Sequence, residues 1–169
     1  MTTGTVIWLT GLPASGKSTL AGSIAEALRL RDVPCCVLDG DAVRGALVPS
    51  PGYDDAARDA FYATLARLAA LLAEQGLVVV VPATAGRRAW RKRARALAPA
   101  WVEVWITGSV TDCEAHDPKG LYEAARSGRL RGLPGVDAPF EPPTEPDVVA
   151  EGGQDARAVA RVIARLSPA

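Results

Sequence analysis

The sequence predicts an α/β fold: a doubly wound, mostly parallel, five-stranded sheet with helices on both faces. Three observations carry that reading. Short apolar runs recur at 6–9, 35–38, 77–81, 102–106 and, weakly, 148–150. Segments with helical spacing separate them, and several of the runs are apolar at every position, as strands covered on both sides must be. At 169 residues, 49% of them hydrophobic, the chain suits one domain with one core, taken as residues 1–169.

The first run leads straight into Gly11-Leu12-Pro13-Ala14-Ser15-Gly16-Lys17-Ser18, which fits G-x-x-x-x-G-K-[ST] at every fixed position. Beyond it, Leu20, Ile24, Ala27 and Leu28 place an apolar stripe on a helix over 17–30. Strand, glycine loop and helix stand in the order that a phosphate-binding loop requires. A triphosphate is a dense anion; glycines let the backbone curl its N–H groups inward, and the helix adds unpaired N–H groups and the positive end of its dipole. The expected ligand is ATP with Mg2+. Residues 11–16, Lys17, Ser18 and Thr19 bind the nucleotide, Lys17 reaching the β- and γ-phosphates and Ser18 the metal. Composition favours the assignment, because the chain has sixteen arginines and only three lysines, and Lys17 and Lys119 both lie in motif-like settings.

The second run, with Cys35 and Cys36 on opposite sides, ends in Asp39-Gly40-Asp41-Ala42-Val43-Arg44, read as a turn at the sheet edge. Asp41 suits the carboxylate that orients an acceptor hydroxyl and takes its proton; Asp39 suits metal support. A helix over 55–75 places Phe61, Leu65, Leu68 and Leu72 on one face. Next comes a short basic helix over 88–97. Its run Arg87, Arg88, Arg91, Lys92, Arg93 and Arg95 reads as a solvated face, with Arg87 or Arg88 as candidates to reach an acceptor. Trp90, Trp101 and Trp105 are expected in the core or at an interface. From 117 to 146 prolines and glycines accumulate after a helix over 119–126, and the segment carries Lys119, Arg126, Arg129 and Arg131; the preferred reading is a lid over the phosphates. A helix over 155–166 closes the chain.

The formal net charge is zero and the pI near 6.6, which gives no electrostatic case for nucleic acid or an anionic membrane. Without a long apolar run or a secretory leader, the protein is expected in the cytoplasm, and three cysteines offer neither a disulfide framework nor a zinc spacing. The only histidine, His116, has two readings: a ring stacked on the donor base, or a solvent-facing residue at a helix start.

The chain resembles the adenylylsulfate kinase family of P-loop kinases. The resemblance rests on the phosphate loop, on the Asp-Gly-Asp segment at 38–44, on Asp117-Pro118-Lys119-Gly120-Leu121-Tyr122 with Ala125-Arg126, and on Pro134-Gly135-Val136 and Ala138-Pro139-Phe140-Glu141. It implies the P-loop fold and transfer of a phosphoryl group from ATP to the 3′-hydroxyl of adenosine 5′-phosphosulfate. By the same resemblance Lys119 contacts the transferring phosphate, Asp41 is the base-like carboxylate, Arg126 belongs to the nucleotide site, and Arg44 and Arg58 contact the acceptor. The same resemblance, with the surplus of Trp and apolar helix surface, leads to the expectation of a homodimer. The departures fall on the acceptor side. Ala42 replaces an asparagine; Phe61-Tyr62-Ala63-Thr64 stands where the family has Asn-Ile-Arg-Arg; Ala85 replaces a phosphorylatable serine. Of the two aromatic residues that clamp the acceptor adenine, Tyr53 can replace one, while Leu133 offers only apolar contact. Two alternatives therefore stay open: a kinase of the same construction with another small hydroxyl acceptor, and a nucleotide-binding regulator without turnover.

Overall fold

The computed structural model describes residues 4–166. Five parallel strands, β1 (Val6–Thr10), β2 (Cys35–Val37), β3 (Val78–Pro82), β4 (Trp101–Ile106) and β5 (Val148–Ala150), form one sheet in the order β2-β3-β1-β4-β5. Each lies within one residue of its predicted bounds. The central strand β1 aligns Val6 with Val79 on one side and with Trp101 on the other. All five of its residues are buried, which is why Val6 to Leu9 run continuously apolar rather than alternating.

Among the described residues, seven helices connect and cover the strands: α1 (Lys17–Arg29), α2 (Gly40–Ala46), α3 (Asp55–Glu74), α4 (Arg88–Leu97), α5 (Val110–Ala115), α6 (Leu121–Arg126) and α7 (Ala156–Arg165). The two-residue alternation of β1 divides the core in two. Ile7 and Leu9 face Leu20, Ile24 and Leu28 of α1 and Val162 of α7. Val6 and Trp8 face Phe61, Leu65, Ala69 and Ala73 of α3 and Ala94 of α4. Cys35 and Cys36 fall on these two opposite faces, as the alternation requires.

Four local expectations are corrected. The Asp-Gly-Asp segment is the start of α2 rather than a turn: Asp39 is its N-cap and accepts hydrogen bonds from the amides of Asp41 and Ala42. The helix α5 was not expected at all; Ser109 and Asp112 form a capping box at its start. His116 ends that helix and does not begin one. Finally, the basic face of α4 is not uniformly solvated. Arg91 is 3% exposed. It donates to Glu103 Oε1 at 3.0 Å, to the carbonyl of Ala85 at 2.6 Å and to the carbonyl of Glu141 at 2.6 Å. Burial pushes the Arg91 guanidinium down and the Glu103 carboxyl up. The Arg87 side chain turns to Asp55 and the Arg88 side chain to the carbonyl of Pro142, while the Arg88 amide donates to the Glu141 carboxylate.

The stretch 117–146 carries α6 and a series of turns. It packs through a small core of its own, in which Tyr122 and Leu133 meet Leu12 and Cys113, with Val136 and Phe140 against them. No helix among the described residues is long and apolar enough to cross a membrane.

Candidate active site

The segments that follow the carboxyl ends of the strands converge on one edge of the sheet, where ligands of open α/β folds bind. The loop after β1 is the foundation. Ala14 and Gly16 adopt positive φ, 59° and 98°, curling the backbone between strand and helix. Gly16 caps α1 without a side-chain hydrogen bond, so the first amides of the helix remain available to an anion. A side chain at Gly16 would also lie 2.6 Å from the amide nitrogen of Gly153, so backbone meets backbone at this point.

Lys17 folds back over the loop and donates to the carbonyls of Gly11 and Leu12 at 3.0 and 2.8 Å. Its half-buried side chain carries an ammonium shut away from solvent, and that desolvation lowers its pKa to about 8. Ser18 donates to Asp39 Oδ2 at 2.8 Å, which joins the first turn of α1 to the cap of α2. Asp39 thus divides its oxygens: Oδ1 caps α2 and Oδ2 faces the serine. Two hard oxygens side by side suit Mg2+, whose remaining coordination water and phosphate oxygens would complete.

Asp41, two residues into the cap, projects outward and pairs with Lys119 Nζ at 2.6 Å. That contact spans 78 residues of sequence and brings the Asp-Pro-Lys-Gly segment onto the Asp-Gly-Asp segment. The paired carboxylate raises the Lys119 pKa. Tyr122 seats the same segment on the phosphate loop, its buried hydroxyl donating to the carbonyl of Pro13 at 2.8 Å. Its amide in turn donates to Asp117 Oδ2 at 2.9 Å.

Other expected residues are placed differently. Arg126 forms a bidentate pair with Glu114 at 2.6 and 2.8 Å. Leu133 is 5% exposed, its side chain among Leu12, Cys113 and Tyr122. Arg58 lies against Gly132. Arg44 is buried, while Tyr53 is exposed beside it. A cleft of about 850 Å3 adjoins the loop, lined by Ala14 to Gly16 and Thr19, by Thr107 and Gly108, by Asp112 and His116, and by 151–157. Sequence reasoning reached His116 and missed Arg157, Gln154 and the Gly152-Gly153 pair, although two adjacent glycines after a strand signal close backbone approach.

A model of the family described as adenylylsulphate kinase matches residues 3–151. The chain belongs to the adenylylsulphate kinase family. Adenylyl-sulfate kinases of Yersinia pestis and Citrobacter koseri are each 40% identical to it over 153 residues; these cover 89% of this chain and 72% and 76% of theirs. An APS kinase of Mycobacterium tuberculosis, solved in complex with AMPPNP and APS, superposes with a TM-score of 0.90 at 33% identity, covering 97% of this chain and 98% of that one. The sheet of parallel strands, the helices and the phosphate loop are those of this kinase family.

Proposed function

We propose that this adenylylsulphate kinase family member transfers the γ-phosphoryl group of ATP to the 3′-hydroxyl of adenosine 5′-phosphosulfate, in the cytoplasm. The observation that carries the reading is the Lys119–Asp41 pair, which sits beside the Ser18–Asp39 pair at the mouth of the phosphate loop. Donor-side and acceptor-side groups are thereby adjacent.

The loop amides from Gly11 to Gly16 and the start of α1, with Thr19, hold the phosphates. The 850 Å3 cleft beside them takes the donor base and ribose, with His116 on its wall. Lys17 leaves the carbonyls of Gly11 and Leu12 for the β- and γ-phosphates. Ser18 and Asp39 would hold Mg2+, which supplies charge neutralisation on the β- and γ-phosphoryl oxygens. Asp41 accepts a hydrogen bond from the acceptor hydroxyl and orients it. As the hydroxyl oxygen bonds to the γ-phosphorus, the bond to the bridging oxygen breaks, ADP leaves, and the hydroxyl proton passes to the Asp41 carboxylate. Lys119 moves from Asp41 to the transferring group, where its charge opposes the negative charge that develops. The stretch 117–146 acts as the lid that delivers it.

The test is ADP release from Mg-ATP. Adenosine 5′-phosphosulfate should stimulate it, and Asp41→Ala should lower kcat by at least about 100-fold. Absence of stimulation by adenosine 5′-phosphosulfate would overturn the reading.

A further inference from the structure

The glycines at 11 and 16 are accounted for by the phosphate-loop motif, but Gly153 belongs to no motif and still stands directly against that loop. A Cβ at Gly16 would lie 2.6 Å from the amide nitrogen of Gly153 and 2.7 Å from its Cα. From the other side, a Cβ at Gly153 would lie 2.8 Å from Thr19 Cβ, 2.9 Å from the carbonyl oxygen of Gly16 and 3.1 Å from its Cα. Contacts this short leave no room for a side chain on either residue. Backbone conformation does not demand the second glycine. Gly152 has a φ of 149° and open space beside it, whereas the φ of Gly153 is not positive. Its neighbours, then, are what exclude a side chain at Gly153.

The contact is held from both sides. Behind it, Asp155 accepts the Ala158 amide at 2.9 Å, capping α7, and the Glu151 amide at 3.1 Å, closing the turn over 151–155. In front of it, Gly16 caps α1 and its carbonyl accepts the Leu20 amide at 3.0 Å. Lys17 and Ser18 stand between the two residues that Gly153 touches. We propose that Gly153 is a positioning residue for the donor's phosphates, acting through Gly16. Its backbone, seated on Gly16 and Thr19, fixes the first turn of α1, and with it the loop amides, Lys17 and Ser18, at a set distance from the wall of the donor cleft. The proposal rests on the reading of the loop as the ATP site. Because 151–157 also line the cleft, one backbone segment registers the base end and the phosphate end of the nucleotide together.

Gly153→Ala adds one methyl group at this contact. The dissociation constants of ATP and of inorganic tripolyphosphate should rise together, each at least about tenfold. The KM for ATP should follow them, with the KM for adenosine 5′-phosphosulfate changed by less than about twofold. Gly22→Ala, at an open position of the same helix, should leave all four values at wild type. A rise for ATP without a rise for tripolyphosphate would place the damage at the base end of the cleft and overturn the proposal, as would wild-type constants for both. Asp155→Ala frees the turn without adding bulk and should weaken tripolyphosphate at least about threefold; a wild-type constant there would also overturn it. Hydrogen exchange reads the seat without any nucleotide. The Leu20 amide should exchange at least about tenfold faster in Gly153→Ala, with that of Leu28 at the far end of α1 unchanged. Unchanged exchange at Leu20, or equal acceleration at Leu28, would overturn the proposal. A wild-type protein that binds neither ATP nor tripolyphosphate would overturn the functional reading instead, and exchange at Leu20 would still decide the seat.

Discussion

The ammonium of Lys17 rests on two carbonyls of its own loop and has a pKa near 8, lowered chiefly by desolvation. A bound triphosphate replaces those carbonyls with anionic oxygens and raises the pKa again. Between about pH 8 and 10.5 the nucleotide complex therefore holds a proton that the free protein has lost. Calorimetry at pH 9 in buffers of different ionisation enthalpy should register uptake of about one proton per ATP bound, falling to near zero at pH 6.5. Equal uptake at both pH values would contradict the assignment. The same shift has a sign for stability without ligand. The unfolded chain binds more protons in that window, so the Lys17 contribution becomes less unfavourable as pH rises from about 8 towards 10.5. Of the site, Lys17, Ser18, Asp39, Asp41 and Lys119 were legible in the sequence because each sits at a fixed offset in a short motif. Arg44 was legible as a site residue but not as a clamped one, since the rings that hold it lie 9 and 17 positions along the chain.

Elements were legible in proportion to their periodicity. The strands and α1, α3, α4 and α7 carry an apolar run or stripe, and their bounds emerge from it. The buried side of α3 is made largely by Ala66, Ala69, Ala70 and Ala73, with Leu68 and Leu72 only half-buried, because small residues let the helix lie close to the sheet. By contrast α2 and α5, of 7 and 6 residues, are too short to show a period, and caps hold them. Ser109 followed by Asp112 was a readable signal for α5; Gly40 and Gly45 within α2 argued against a helix there. The six-residue α6 depends on one tether in particular, the Tyr122 hydroxyl on the carbonyl of Pro13. Tyr122→Phe leaves that carbonyl without its partner. We expect a loss of about 1–3 kcal/mol in urea denaturation. A change within about 0.3 kcal/mol would mean that the apolar packing of the ring, not its hydroxyl, seats the segment.

At the scale of the molecule, Arg91 joins three distant segments: the loop after β3 at Ala85, the strand β4 at Glu103 and the return of the 117–146 stretch at Glu141. Nothing in the sequence distinguishes it from its solvated neighbours, because its burial is decided by residues up to 50 positions away. Arg91→Met should cost about 3–5 kcal/mol by chemical denaturation, since it strands the Glu103 carboxylate at low exposure. Combining it with Glu103→Leu should recover at least about half of that loss, as buried ion pairs replaced whole are often near neutral. A double variant no more stable than the single would show that the two carbonyl contacts, rather than the stranded charge, set the cost. The backbone contact between Gly16 and Gly153 also has a consequence in time. Residues 151–157, which line the cleft beside the phosphate loop, are synthesised long after the loop they back. A nascent chain thus presents its phosphate loop before one wall of that cleft exists, and the cleft is complete only once β5 and α7 have docked.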